Sequence, residues 1–144
     1  MDLKAVLIDD EPRGISSMQR ILQINCPSVN VIGSFTDAIE AIEYVKVHNP
    51  DLIFLDIAMP VKNGFELLKE LKGASFEVIF VTAHNQYMVE AFHFSAIDYL
   101  LKPVEDNLLI DAVERAKKRI EEKSGNKNIE TFLHNLKQSQ SPQK

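Results

Sequence analysis

Four short apolar runs, each closing on a polar or charged residue, constrain this chain more than any other feature. AVLI runs into Asp9 and Asp10, LIFL into Asp56, VIFV into Thr82, and DYLL into Lys102, which Pro103 follows. Between the runs lie segments whose apolar residues recur at helical spacing, so strands and helices alternate along the chain. Strands joined through helices take right-handed crossovers, which make the sheet parallel with a helical layer on each face. Ligands of such sheets bind in the crevice outside the carboxyl ends of the strands. Three acids, a hydroxyl and a lysine are therefore predicted along one sheet edge.

The pattern resolves into five strand–helix units. Leu3 to Ile8 reads as a strand, then a helix capped by Asp10 with Pro12 in its first turn, where a missing N–H costs nothing. Ile15, Met18 and Leu22 give that helix one apolar stripe. Val29 to Ile32 is the second strand, and Thr36 caps a helix that buries Ala38, Ile42 and Val45 and stops at Asn49-Pro50. The third strand, Leu52 to Leu55, is apolar throughout, as expected of one covered on both faces. A helix with Phe65, Leu68 and Leu71 inward ends at Gly73. Val78 to Val81 is followed by a short helix over 85–93 with Met88, Ala91 and Phe92 inward, and Ile97 to Leu101 is the fifth strand. Leu109, Ala112, Val113, Ala116 and Ile120 trace one face of a long, charged last helix.

With 144 residues the chain supports one domain of ordinary size, and its longest apolar runs are far short of a membrane span. The N-terminus has no signal-peptide character, and Cys26 is the single cysteine, so a reducing cytoplasm is the expected compartment. The net charge of -5 argues against a grip on nucleic acid by this segment. Charge and composition change near Lys123: from there on four lysines face one glutamate, in the setting SGNKN and QSQSPQK. Residues 1–122 are read as the globular domain and 123–144 as a linker or tail, with Ile129, Phe132, Leu133 and Leu136 forming a short helical stripe after a polar hinge.

Asp9, Asp10 and Asp56 brought together place three like charges within a few ångströms, which cannot all stay ionised unaided. Mg²⁺ resolves this, since it takes oxygen ligands and characteristically uses one or two carboxylates with a phosphate oxygen. A carboxylate also serves as a nucleophile toward phosphorus, and Asp56, at the end of the most buried strand, is the candidate. Lys102 brings a point charge on a flexible stem and Thr82 a hydroxyl donor for a phosphoryl oxygen. Asp9-Asp10 as a helix cap alone would need one acid and would leave Asp56 unexplained.

These residues, in this spacing, resemble a response-regulator receiver domain (CheY-like) over about residues 3 to 122. Asp9-Asp10, DIAMPVKNG from Asp56 to Gly64, Thr82-Ala83 and Lys102-Pro103 carry the resemblance. It implies a flavodoxin-like doubly wound sheet in the order 2-1-3-4-5. It also implies Asp56 as phosphoacceptor and Mg²⁺ held by Asp10, Asp56 and the Ala58 carbonyl, with Asp9 acting through water. Thr82 and Tyr99 match the switch pair, Lys102 the phosphate-binding lysine, and Lys102–Pro103 a cis peptide bond. Ala58 and His84 correspond to positions that modulate the path of the attacking water. His48, His93 and His134 have no metal-ligand spacing and are read as surface residues.

A finer resemblance lies in AFHFSAIDYLLKPV, from Ala91 to Val104, which is similar to receivers joined to a LytTR-type DNA-binding domain. The implied role is a two-component signalling switch. A sensor histidine kinase phosphorylates Asp56, and the surface of the fourth helix, fifth strand and fifth helix changes. The output is transcription through a DNA-binding domain that this chain lacks, with phosphorylation-dependent homodimerisation and no membrane partner. The chain catalyses its own phosphorylation and hydrolysis but is not an enzyme acting on an external substrate. An aspartyl-phosphate phosphatase would need a second acid where Ala58 stands, and a nucleotide-binding module would not present Asp9-Asp10-Glu11 to a phosphate. A docking receiver used without phosphorylation is the remaining alternative.

Overall fold

The computed structural model describes residues 2–140, and their side chains except those of 126–131 and 137–140. Strands and helices alternate: β1 (Leu3–Ile8), α1 (Pro12–Asn25), β2 (Val29–Phe35), α2 (Ala38–His48), β3 (Leu52–Leu55), α3 (Gly64–Glu70), β4 (Glu77–Thr82), α4 (Met88–His93), β5 (Asp98–Leu101) and α5 (Asp106–Gln140). The five strands form one parallel sheet in the order β2-β1-β3-β4-β5. The chain leaves β1 toward one sheet edge and continues from β3 toward the other, so the topological switch lies between β1 and β3.

Alternate residues of each strand feed two separate cores, as the two-residue period of a strand requires. Leu3, Ala5, Leu7, Phe54, Ile79 and Val81 pack with Met18 and Leu22 of α1 and with Leu109, Ala112, Val113 and Ala116 of α5. Val6, Ile8, Ile53, Leu55 and Phe80 pack on the other face under α2, α3 and α4. All four residues of β3 are buried, the signature of a strand covered on both sides.

Four local expectations are corrected. Asp10 does not cap α1: Glu11 is the N-cap residue, without a side-chain cap, and Pro12 is the first helical residue. The Asp10 carboxylate is instead gathered with Asp9 and Asp56. Thr36 does not cap α2, because Asp37 takes the Ile39 N–H at 3.1 Å, and a carboxylate also suits the positive end of the helix dipole. Met88 and Phe92 do not face inward. They are 49% and 81% exposed, and only the small Ala91 of α4 is buried, against an aromatic layer that already fills the space. In that layer Phe65 packs on Phe94 at 5.2 Å and on Phe80 at 5.3 Å between ring centres. Finally, the SGNKN segment makes no hinge in the backbone: α5 is continuous from Asp106 to Gln140. Phe132, Leu133 and Leu136 lie on its exposed surface, and the Ile129 side chain falls outside those described.

Sequence reading missed a buried acid at the opposite edge from the strand C-termini. Glu77, which opens β4, is 4% exposed and accepts from Arg119 Nη1 at 3.2 Å and from Lys123 Nζ. Arg119 also donates to the Ser95 carbonyl at 2.9 Å, in the turn between α4 and β5, and Arg115 pairs with Asp98 of β5. These contacts bolt α5 to two strands and a turn before it runs on. Glu77→Ala removes both charged hydrogen bonds that fasten α5 to the start of β4 and leaves a void where the buried side chain stood, and is expected to lower unfolding free energy by about 1–3 kcal/mol. Lys123→Ala, whose ammonium is largely in water, is expected to cost less than about 1 kcal/mol. Urea denaturation of the two variants measures the contrast.

Candidate functional site

The parallel topology sets the C-terminal ends of β1, β3, β4 and β5 side by side, and backbone bonds hold the residues just past them in register. Asp56 N–H donates to the Ile8 carbonyl at 2.9 Å, Asp9 N–H to Phe35 at 3.1 Å, and Lys102 N–H to Thr82 at 2.9 Å. The carboxylates of Asp9, Asp10 and Asp56 each present an oxygen within 4.8 Å of the other two. Lys102 Nζ reaches in from β5 and donates to Asp9 Oδ2 at 2.6 Å and to Asp56 Oδ2 at 3.0 Å.

The remaining acceptors are held by backbone. Asp9 Oδ1 takes the Glu11 N–H at 2.9 Å, and Asp56 Oδ1 takes the Ala58 N–H at 3.3 Å. Asp9 and Asp56 are buried, while Asp10 is partly exposed and Ala58 exposed, so the cluster opens to solvent on the side of the β3–α3 loop. Burial pushes the Asp9 carboxyl above its ordinary range, against the Lys102 and Glu11 hydrogen bonds that favour its charged form. Burial alone would lower the Lys102 ammonium, but its bonds to Asp9 and Asp56 outweigh it and hold the pKa above the ordinary value. Three hard oxygen donors with one ammonium among them form a donor set that fits a small divalent cation.

Thr82 is fully buried, with its Oγ accepting the His84 N–H at 3.4 Å. Tyr99 is half-buried, its ring 6.2 Å from Phe80, and its hydroxyl donates to the His84 carbonyl. It therefore bridges β5 to the β4–α4 loop and lies outside the carboxylate cluster. Burial raises its pKa. The His84 side chain is exposed. The Lys102–Pro103 peptide bond is cis.

Two glycines in the site went unassigned in the sequence, although each marks a place where backbone or charge approaches closely. A Cβ on Gly64 would stand 2.8 Å from the Asp56 carbonyl oxygen, and the Gly64 N–H donates to Ile57 at 2.9 Å, so α3 starts hard against the strand end. A Cβ on Gly14 would stand 2.0 Å from Asp9 Oδ2. Between them, the β3–α3 loop contains a tight turn in which Lys62 N–H donates to the Pro60 carbonyl at 2.7 Å around Val61, at φ 68°. A β-branched residue rarely adopts that conformation, and Val61 is 83% exposed, so no burial of its side chain offsets the strain.

An acidic, metal-suited edge at the switch point of a doubly wound α/β domain defines the class of this protein. The comparisons carry this further: the model of the response regulator receiver domain family matches residues 5–114, and the chain belongs to that family. It is 42% identical over 114 residues to an uncharacterized response regulatory protein of Vibrio cholerae, covering 78% of this chain and 48% of the relative. It is 32% identical over 120 residues to the sensory transduction protein LytT of Bacillus anthracis, covering 81% and 48%. Among solved structures it is similar to the receiver domain of the response regulator AraT from Geobacillus stearothermophilus. That match has a TM-score of 0.77 and 27% identity, covering 86% of this chain and 99% of the other. The chain spans about half the length of these curated relatives. Among the described residues no helix is long and apolar enough to cross a membrane.

Two outcomes follow from this geometry. Val61→Asn, which tolerates the left-handed region, is expected to raise unfolding free energy by about 1 kcal/mol in urea titrations. Asp9, whose folded pKa is raised, contributes stability that is full below its ordinary value of 3.8 and lost as pH climbs through the raised one. Without divalent cations, the wild-type chain should therefore lose stability relative to Asp9→Asn across that rise in pH. A constant difference between the two proteins would contradict it.

Proposed function

We propose that the chain is the phosphoacceptor switch of a two-component system. The observation that carries the reading is the Lys102 ammonium set between Asp9 and Asp56, at 2.6 and 3.0 Å, at the mouth of a three-carboxylate cluster. Asp56 so placed lies just beneath the solvent-facing Asp10 and Ala58, with its charge balanced by the ammonium, which suits it to attack a phosphorus brought to that opening. An Asp56 oxygen attacks the phosphorus of a phosphohistidine on a sensor kinase; the new O–P bond forms as the N–P bond breaks, and the nitrogen leaves with its electron pair.

Asp10, Asp56 and the Ala58 carbonyl would hold Mg²⁺ directly and Asp9 through water, and the metal would supply positive charge to offset that of a transferring phosphoryl group. Lys102 is freed from Asp56 to pair with a phosphoryl oxygen, acting as a point charge. Thr82, next to the new group, donates its hydroxyl to it. Its departure from the His84 N–H, together with rotation of Tyr99 off the His84 carbonyl, changes the surface of α4, β5 and α5. The exposed Met88, Val89, Phe92, Leu101 and Leu108 on these elements supply apolar side chains for homodimerisation. Ala58 offers no general acid, so the phosphoryl group acts as a signal. His84 modulates its loss.

The output is transcription through a LytTR-type DNA-binding domain joined beyond the receiver, with residues 123–144 leading toward it. The similarity to a protein named LytT, over about half of that protein's length, supports this part. The setting is cytoplasmic, with the kinase and a second copy of the chain as partners.

Incubation with Mg²⁺ and acetyl phosphate, followed by intact-mass measurement, is expected to add one phosphoryl group to the wild-type chain and none to Asp56→Asn. Beryllofluoride should shift the oligomeric state of the wild type alone. Lys102→Ala and Thr82→Ala should keep Asp56 modifiable while weakening that shift by tenfold or more, on the order of one lost charged hydrogen bond. Mass addition that persists in Asp56→Asn, or no addition to either protein, rules the reading out.

A further inference from the structure

Gly14 lies in the first turn of α1, and its backbone does not require a glycine: its φ is not among the positive values of the chain. A glycine at a helical position is unfavourable by about 1 kcal/mol relative to alanine. What requires the missing side chain is space. A Cβ there would stand 2.0 Å from Asp9 Oδ2, 2.7 Å from its Cγ and 3.2 Å from Lys102 Nζ. The volume of one methyl group is thus taken by an ion pair, Lys102 Nζ to Asp9 Oδ2 at 2.6 Å. The other Asp9 oxygen is drawn the same way, onto the Glu11 N–H at 2.9 Å, beside the start of α1.

We infer that Gly14 is a positioning residue. It forms a recess in which the Asp9 carboxylate is held back onto Lys102, and thereby weakens the hold of the acidic cluster on a divalent cation. The inference rests on the reading of Asp9, Asp10 and Asp56 as a Mg²⁺ site. An ammonium and a metal ion draw on the same carboxylate and repel each other, so whatever strengthens the ion pair disfavours the metal. An alanine methyl must displace Oδ2 by about 1 Å to reach even a tight van der Waals contact, since Cβ contacts under 3.0 Å are essentially never found. That displacement takes the carboxylate off α1, loosens it from Lys102 and leaves it to Asp10 and Asp56.

The test is Mg²⁺ titration by calorimetry of the wild type, Gly14→Ala, Lys102→Ala, the double variant and Asp56→Asn, with the fold of each checked by circular dichroism. Gly14→Ala is expected to bind Mg²⁺ about 3- to 10-fold more tightly than wild type. In the Lys102→Ala background, where no ion pair remains to be broken, the same substitution should change affinity less than twofold. A purely structural effect of the methyl group would appear equally in both backgrounds and would overturn the inference, as would unchanged or weaker binding by Gly14→Ala. Wild-type protein that binds Mg²⁺ no better than Asp56→Asn would overturn the metal-site reading itself, and the recess with it.

Discussion

A single ammonium group makes the acidic edge of this domain tolerable. Three carboxylates gathered within 4.8 Å repel one another, and two of them are buried. Lys102 lies between Asp9 and Asp56 and joins the end of β5 to the ends of β1 and β3. The strand order makes this possible: β1 and β3 are neighbours, β4 separates β3 from β5, and a lysine stem bridges that separation. The close approaches of Gly14 and Gly64 then follow as requirements of fitting charge and backbone into one place.

The opposite edge of the sheet has its own charged fastening. α5 begins near the acidic edge, after β5, and runs back antiparallel to the strands. Where it passes the start of β4, Glu77 takes Arg119 and Lys123, and Arg119 also reaches the turn after α4. One helix therefore touches the elements that carry the site and the elements farthest from it. The two fastenings differ in kind: one ammonium, Lys102, is shared between two carboxylates, whereas one buried carboxylate, Glu77, is shared between two cations.

Most of the architecture was legible because it rests on periodicity. The apolar runs of β1 and β3 end where the strands end, and the stripe from Leu109 to Ala116 is the face of α5 that is buried. Errors gathered where a local rule met a tertiary competitor. Asp10 satisfies the capping rule, but α1 starts at Pro12 with Glu11 in the capping position, which leaves Asp10 one residue outside the helix and among the acids of the edge. Phe92 satisfies the helical stripe, but Phe65, Phe80 and Phe94 already occupy the space beneath α4, and only Ala91 fits. The polar segment SGNKN has a linker's composition, yet nothing in it forbids helix, and α5 runs through it. Glu77 carried no signal at all, since a lone acid beginning a strand is recognised as buried only when the cations one helical turn apart are seen beside it.

The sequence by itself determined which residues stand at strand ends, because apolar runs and their polar stops are local properties of the chain. That suffices for the class of fold, the family and the membership of Asp9, Asp10, Asp56, Thr82 and Lys102 in one edge. Only the tertiary structure decided how these groups share charge. Distances between side chains from different strands depend on strand order, register and the space left by neighbours such as Gly14. The Asp9 carboxylate turns back onto Lys102 because a glycine four residues from Asp10 leaves room for it, and no pattern along the chain reveals that room.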